Sequence, residues 1–318
     1  MALPLRPLGR SGLQVAPLCF GGNVFGWTAD EATSHALLDR FVGAGFNFID
    51  TANVYSTWVP GHLGGESESV IGRWLQRSGQ RDRVVIASKV GMQMPGLGAG
   101  LKRATIERGV DDSLRRLQTD RIDLYYAHVD DPGTPLDESL AAFDGLVKAG
   151  KVRAIGASNF SAERLEQALI ISARDSLARF ECLQPQYNLI DREPYESTLG
   201  PVCARHGLGV ANYYALASGF LSGKYRRLED TAGHARGARV KQYLDARGLR
   251  ILDALDAVAQ RLHSTPAAVA LAWLMAQPTV SAPIASATSI AQLDELLAAA
   301  HLTLDADAVG ALDAASAA

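Results

Sequence analysis

Short apolar runs alternate along this chain with longer stretches whose apolar positions recur at steps of three and four residues. Half-buried strands repeat with a period of two and core-facing helices with one of about 3.6, so this order predicts βαβ units building a parallel sheet. Eight strands are predicted: PLCFG (17–21), NFIDTA (47–52), VVIASKV (84–90), IDLYYAHV (122–129), VRAIGAS (152–158), CLQPQYN (182–188), GVANYYA (209–215) and VSAPIAS (280–286). Helices are predicted between them over 31–42, 66–77, 105–117, 135–149, 161–174 and 194–205, several closing at glycine, with Ser161 as a simple N-cap. Eight strands with intervening helices favour a (β/α)8 TIM barrel over an open doubly wound sheet, and no GxGxxG follows the first strand.

Two regions exceed the simple repeat. LPLRPLGRSGLQVAPL at the front reads as a β-hairpin across a GRSG turn, closing the bottom of the barrel. Between strands seven and eight the chain carries a long insertion, including KYRRLEDTAGHARGARVK and two helices over 249–263 and 266–277, and an insertion of that length reads as a binding loop or lid. SIAQLDELLAAAH and DADAVGALDAA supply the last two helices. No linker interrupts the pattern, so one domain over 1–318 is expected.

Composition narrows the function. With 318 residues, 47% of them hydrophobic and 20% charged, the chain can bury a large core. A net charge of -3 leaves no global basic field for nucleic acid or an anionic membrane. The N-terminus lacks the apolar run of a secretory signal, and no segment sustains the roughly 18 apolar residues of a membrane span. Cys19, Cys182 and Cys203 are odd in number and set in apolar runs, which predicts buried thiols, no disulfide framework and no metal site. A cytoplasmic location is expected.

In such a barrel the chemistry lies at the C-terminal mouth of the strands, so polar residues that close apolar strands are the candidates. Asp50 closes the second strand, Lys89 the third and His128 the fourth; Ser158 and Asn159 close the fifth, Gln184 lies within the sixth and Tyr213 within the seventh. Singly, each has a plain structural role: Asp50 caps a turn, Lys89 snorkels to water, and His128 is a satisfied core histidine. Together they converge on one mouth, and buried polar groups without partners cost too much to accumulate there idly. With Tyr55 beyond Asp50, the set suits reduction of a C=O group. A phenol of reference pKa about 10 needs a cation beside it to act as an acid at neutral pH. Lys89 supplies that charge, Asp50 holds it in place, and His128 donates a hydrogen bond to the oxygen on which charge grows.

These residues carry a resemblance. GFNFIDTANVY is similar to the segment of aldo-keto reductases that bears a catalytic Asp and Tyr, IASKVG to their lysine segment, and DLYYAH to their histidine segment. VRAIGASNF and QPQYN resemble their nicotinamide-carboxamide segments, and NYYALASGFLSGKY their ring-stacking aromatic and pyrophosphate loop. SGKY and SATSIAQL further resemble the branch of potassium-channel β-subunits and bacterial aryl-alcohol dehydrogenase-like reductases. The resemblance implies Asp50, Tyr55, Lys89 and His128 as a catalytic tetrad and a nicotinamide cofactor bound without a Rossmann domain. It implies carboxamide contacts from Ser158, Asn159 and Gln184, ring stacking by Tyr213, pyrophosphate contacts from Leu216, Ser218 and Lys224, and further cofactor contacts from Gly22, Asn23, Asp50 and Tyr214.

Two departures from the family pattern bear on specificity. The adenosine end falls on Ser286, Thr288, Gln292 and Glu295, followed by Leu296, where family members that prefer NADP present Lys or Arg to the 2′-phosphate. Arg236 is the expected replacement, with Arg239 as the second candidate. STWVPGHLGG (56–65) lengthens the turn after the tyrosine and places Trp58 and His62 over the substrate mouth, so a substrate pocket of Trp58, Tyr55 and His128 is expected. The implied activity is NADP(H)-dependent reduction of an aldehyde or ketone, or the reverse, with NADPH preferred, NADH as the alternative, and a small-molecule carbonyl or alcohol as partner. A nicotinamide-binding, redox-sensing subunit of a partner protein is the rival, and the oligomeric state is open.

Overall fold

The computed structural model describes residues 3–234 and 236–317. β1 (Arg6–Pro7) and β2 (Gln14–Val15) pair antiparallel. β3 (Cys19–Gly21), β4 (Phe48–Asp50), β5 (Val85–Val90), β6 (Ile122–Ala127), β7 (Val152–Ser158), β8 (Phe180–Gln184), β9 (Gly209–Val210) and β10 (Ile284–Ala285) form one parallel sheet in the order β10-β3-β4-β5-β6-β7-β8-β9. The ends of that sheet meet, because Val210 bridges Val280 in parallel and the Ile284 amide donates to Asn212 O at 2.9 Å. The result is the (β/α)8 barrel that the alternation predicts.

Around the sheet lie α1 (Glu31–Gly43), α2 (Glu66–Ser78), α3 (Arg103–Leu117), α4 (Leu136–Lys148), α5 (Ala162–Arg174) and α6 (Gly200–His206). The segment between β9 and β10 contains α7 (Gly237–Val240), α8 (Ala246–Arg261) and α9 (Pro266–Met275), and α10 (Ile290–Ala298) and α11 (Ala306–Ser316) end the fold. Local chemistry sets the boundaries. Asp30 and Ser161 accept the amides of Thr33 and Arg164 as N-caps, and Gly79 and Gly207 close α2 and α6 in the left-handed conformation. The predicted helix over 194–205 begins instead as a π turn, Tyr195–Leu199, before α6. The predicted strand over 182–188 leaves the regular ladder at Gln184, since Pro185 has no N–H to give, although its carbonyl still accepts from the Tyr213 amide at 2.9 Å.

Apolar residues separate into two shells. The larger lies between sheet and helices; the smaller fills the barrel and unites Cys19, Phe48, Val85, Ala87, Leu124, Tyr126, Ala154 and Cys182 with Leu8, Leu13 and Val15 of the front hairpin. The hairpin thus plugs the bottom. Its fit is close: a Cβ on Gly9 would stand 2.1 Å from Glu181 O, so only glycine passes there, and Ser281 Oγ donates to Pro7 O at 2.9 Å. All three cysteines are buried thiols, and no helix among the described residues is long and apolar enough to cross a membrane.

Candidate active site

Strand alternation decides which side chains reach the upper barrel. Phe48 and Asp50 on β4, Val85, Ala87 and Lys89 on β5, and Leu124, Tyr126 and then His128 along β6 face inward, while Ile49, Ile86 and Tyr125 pack outward. Apolar layers below therefore give way to a polar layer at the top. Gly156 on β7 keeps room for it, since a Cβ there would stand 2.5 Å from the Tyr126 ring.

Lys89 is the centre of that layer. It is fully buried, and Nζ donates to Asp50 Oδ2 at 2.6 Å, to Tyr55 Oη at 2.7 Å and to Thr51 O at 2.8 Å, so all three of its donors are engaged. Tyr55 donates in turn to Asp50 Oδ2 at 3.0 Å, and Gln184 Nε2 donates to Asp50 Oδ1 at 2.8 Å. Burial lowers the Lys89 pKa and the Asp50 carboxylate works against that shift, so the pair holds a charge the site would otherwise expel. Burial and then Asp50 raise the Tyr55 phenol well above its ordinary value. The phenol therefore keeps its proton, which it donates in a hydrogen bond to the carboxylate.

His128 completes the set from β6. Its amide donates to Val90 O at 2.8 Å, its carbonyl accepts from Asn159 Nδ2 at 2.8 Å, and its ring centroid lies 6.1 Å from that of Tyr55. Burial first, then the Lys89 charge, push its pKa well below the usual histidine range, so the ring is neutral. Nδ1 is buried without a partner, which leaves Nε2 as the nitrogen able to meet a ligand.

The polar layer floors a cavity of about 880 Å³ at the C-terminal mouth of the strands. The family model described as "Aldo/keto reductase family" matches residues 17–317. The chain belongs to the aldo/keto reductase family. It is 37% identical over 305 residues to the "Uncharacterized oxidoreductase YrpG" of Bacillus subtilis, with 94% of this chain and 91% of that protein covered. It is 34% identical over 297 residues to a "Probable voltage-gated potassium channel subunit beta" of Oryza sativa (91% and 88% covered), and 32% identical over 331 residues to "Protein tas" of Escherichia coli (96% and 95% covered). This aldo/keto reductase is accordingly an oxidoreductase of a family that works with nicotinamide cofactors.

Most residues expected from its sequence meet on one wall or another of the cavity. Asn23, Asp50, Tyr55, Trp58, His128, Ser158, Asn159, Gln184, Tyr213, Tyr214, Leu216, Ser218, Lys224, Arg236, Ser286, Thr288, Gln292 and Glu295 all line it. Three do not. Lys89 lies beneath the floor; Gly22 packs behind it, where a Cβ would stand 2.9 Å from Asp50 O; and His62 is not part of the lining, against its expected placement over the mouth. Gln186 and Tyr225, within the QPQYN and SGKY segments but not singled out there, also line the cavity, and Trp27 and Met92 line it unforeseen. Trp27 and Met92 stand in loops beyond strand ends, and position after a strand was the only signal that could have found them.

The donor set fits a nicotinamide cofactor. Asn159 bonds His128 O, Ser158 Oγ and, through its own oxygen, the Tyr213 hydroxyl at 2.8 Å, which fixes the corner where a carboxamide would lie. Gln184 Oε1 makes no hydrogen bond among the described residues, and it can take a carboxamide N–H. Beyond β9, Tyr214, Ala217 and Ser218 hold left-handed backbone angles that cost non-glycine residues energy, and the buried Ser218 hydroxyl has no partner. Strain and an orphaned hydroxyl in one loop suit a phosphate-binding turn. The three Lys and Arg residues on the wall, Lys224, Arg236 and Arg239, all come from the long segment between β9 and β10. The guanidinium of Arg236 lies 5.9 Å from the Trp27 ring and that of Arg239 lies 4.0 Å from the Tyr214 ring, and no carboxylate pairs with either among the described residues. On the loop after β10, Ser286 bonds Asn23 at 2.7 Å and Thr288 bonds Gln292, with no cation among them.

Proposed function

We propose that this barrel is an NADP(H)-dependent reductase of aldehydes or ketones, running also in reverse, with Tyr55 as the proton donor. The observation that carries the reading is the shared position of Lys89 Nζ, 2.7 Å from the tyrosine oxygen and 2.6 Å from the aspartate. A bound nicotinamide supplies the hydride for the carbonyl carbon. The protein's residues handle the oxygen. His128 donates from Nε2 and orients the carbonyl against Tyr55. As charge grows on the substrate oxygen it competes with Asp50, whose carboxylate already shares its charge with Lys89 and Gln184, and the Tyr55 proton turns towards the substrate. Lys89 then compensates the phenolate left behind, and Asp50 keeps Lys89 protonated between turnovers.

Under this reading Ser158, Asn159 and Gln184 hold the carboxamide, Tyr213 stacks on the ring, and Leu216, Ser218 and Lys224 meet the pyrophosphate. Asn23, Tyr214, Ser286, Thr288, Gln292 and Glu295 line the rest of the cofactor groove. Arg236, unpaired on the wall, takes the 2′-phosphate and makes NADPH the preferred form. Gly22 supports Asp50 from behind rather than touching the cofactor. The similarity to the rice potassium channel subunit beta keeps a subunit role as the second reading, and turnover of a carbonyl decides between the two. Tyr55→Phe is expected to lower carbonyl reduction by on the order of 10²–10⁴ while NADPH still binds with quenched fluorescence; a normal rate in that variant overturns the role of Tyr55.

A further inference from the structure

Behind the barrel wall lies a buried charge that the chemistry at the mouth does not use. Glu68, in the first turn of α2, is fully buried. Its Oε1 accepts from the hydroxyl of Ser88, the residue before Lys89 on β5, and its Oε2 accepts from Arg116 Nε on α3 at 2.6 Å. Side chains alternate along a strand, so Ser88 points out to Glu68 from the same backbone that points Lys89 in. The residue before Glu68 holds the other side of the lysine. Ser67 Oγ donates to Gly22 O at 2.7 Å and takes the Thr51 hydroxyl at 2.7 Å, while the Thr51 carbonyl accepts from Lys89 Nζ at 2.8 Å.

A buried carboxylate paired with arginine roughly breaks even in stability, so stability alone gives no reason for the pair. Its place behind Lys89 gives one. The Arg116 side chain is 19% exposed and that of Glu68 0%, so water screens the guanidinium more than the carboxylate and leaves a net negative field behind β5. Burial lowers the Lys89 pKa, and Asp50 first, then Cys19 and Glu68, oppose that. Burial raises the thiols of Cys19 and Cys182 and the phenols of Tyr126, which faces Lys89 from β6, and Tyr125, which faces Glu68, so all four stay neutral. His128 is neutral as well. The carboxylates acting on Lys89 are therefore Asp50, which touches it, and Glu68, which does not.

Resting on the role given to Lys89 and Tyr55 above, we propose that Glu68 is a positioning residue for catalysis. Held by Ser88 and Arg116 on the outer face of β5, its carboxylate keeps Lys89 charged and aimed at the Tyr55 oxygen. Arg116 sets how much of that field reaches the barrel.

The test is the pH dependence of kcat/KM at saturating NADPH between about pH 6 and 10, in wild type, Glu68→Gln, Arg116→Gln and the double variant. The probe is the fastest turned over of 4-nitrobenzaldehyde, n-butanal and D-glyceraldehyde. Removing a negative charge makes Lys89 and Tyr55 both release their protons at lower pH, and removing a positive one does the reverse. The basic limb is therefore expected to move down by about half a pH unit or more in Glu68→Gln, up in Arg116→Gln, and back near wild type when both charges are gone. Lost packing lowers the rate in both single variants alike and cannot move the limb in opposite directions. Limbs that stay in place, or that move the same way in both, overturn the role of Glu68 while carbonyl reduction stands. If Glu68→Gln does not fold, Arg116→Gln decides alone, and a limb at or below the wild-type pH overturns the proposal. No turnover of any of the three carbonyls overturns the underlying reading and the proposal with it.

Discussion

Lys89→Met removes the one cation shared by Asp50 and Tyr55. Methionine matches the lysine stem in length, so the damage is electrostatic rather than a cavity. Asp50 is 1% exposed, and it would keep only Gln184 at 2.8 Å and Tyr55 at 3.0 Å as donors. Stranding a buried charge in this way costs about 3–5 kcal/mol, a large share of the ~5–15 kcal/mol that typically holds a protein folded. Urea unfolding followed by circular dichroism measures the loss. Asp50→Asn combined with Lys89→Met removes both charges, so that double variant is expected to be more stable than Lys89→Met alone. Carbonyl reduction should nevertheless fall by on the order of 10²–10⁴ in both, since neither leaves a cation beside the phenol. If Lys89→Met unfolds within about 0.5 kcal/mol of wild type, or the double variant is no more stable than the single one, the buried charge pair is not what organises this site.

Two further outcomes follow from the geometry. The His128 pKa is depressed, so the stability linked to its neutral ring is present above the unfolded value of about 6.5 and drains away as pH falls below it, because the unfolded chain takes up the proton first. Unfolding midpoints measured from about pH 6.5 down to about 5 should therefore fall less steeply in His128→Asn than in wild type, and equal slopes would contradict a buried neutral ring. Arg236→Ala should weaken NADPH binding by roughly tenfold or more, the worth of a charge-assisted phosphate contact, and NADH binding by far less. Fluorescence titration of both cofactors measures this, and equal losses would remove Arg236 from the 2′-phosphate.

The strand-end residues were the legible part of the site. In VVIASKV and IDLYYAH the period of two places Lys89 and His128 on the inner face whatever packs outside, so their convergence with Asp50 could be read from alternation. Loops carry no such period. Trp58 could be flagged only as an insertion, and Trp27 and Met92 went unnoticed because nothing local says that turns after different strands lie side by side. His62 shows the opposite error, since it shares a loop with Trp58 yet does not reach the cavity.

By itself, the chain's pattern determined the number and order of strands, the barrel, the hairpin at its base and the three polar groups, Asp50, Lys89 and His128, that close strands at its mouth. Those follow from local periodicity and from the cost of burying a polar group without company. Only the folded structure decided how Lys89 divides its three donors, that Tyr55 donates a hydrogen bond to Asp50 at rest, that His128 is neutral, and that Trp27 meets Trp58. Each of these depends on distances between segments far apart in sequence, and hydrogen bonding, desolvation and charge coupling all change sharply over an ångström or two, which no one-dimensional pattern records.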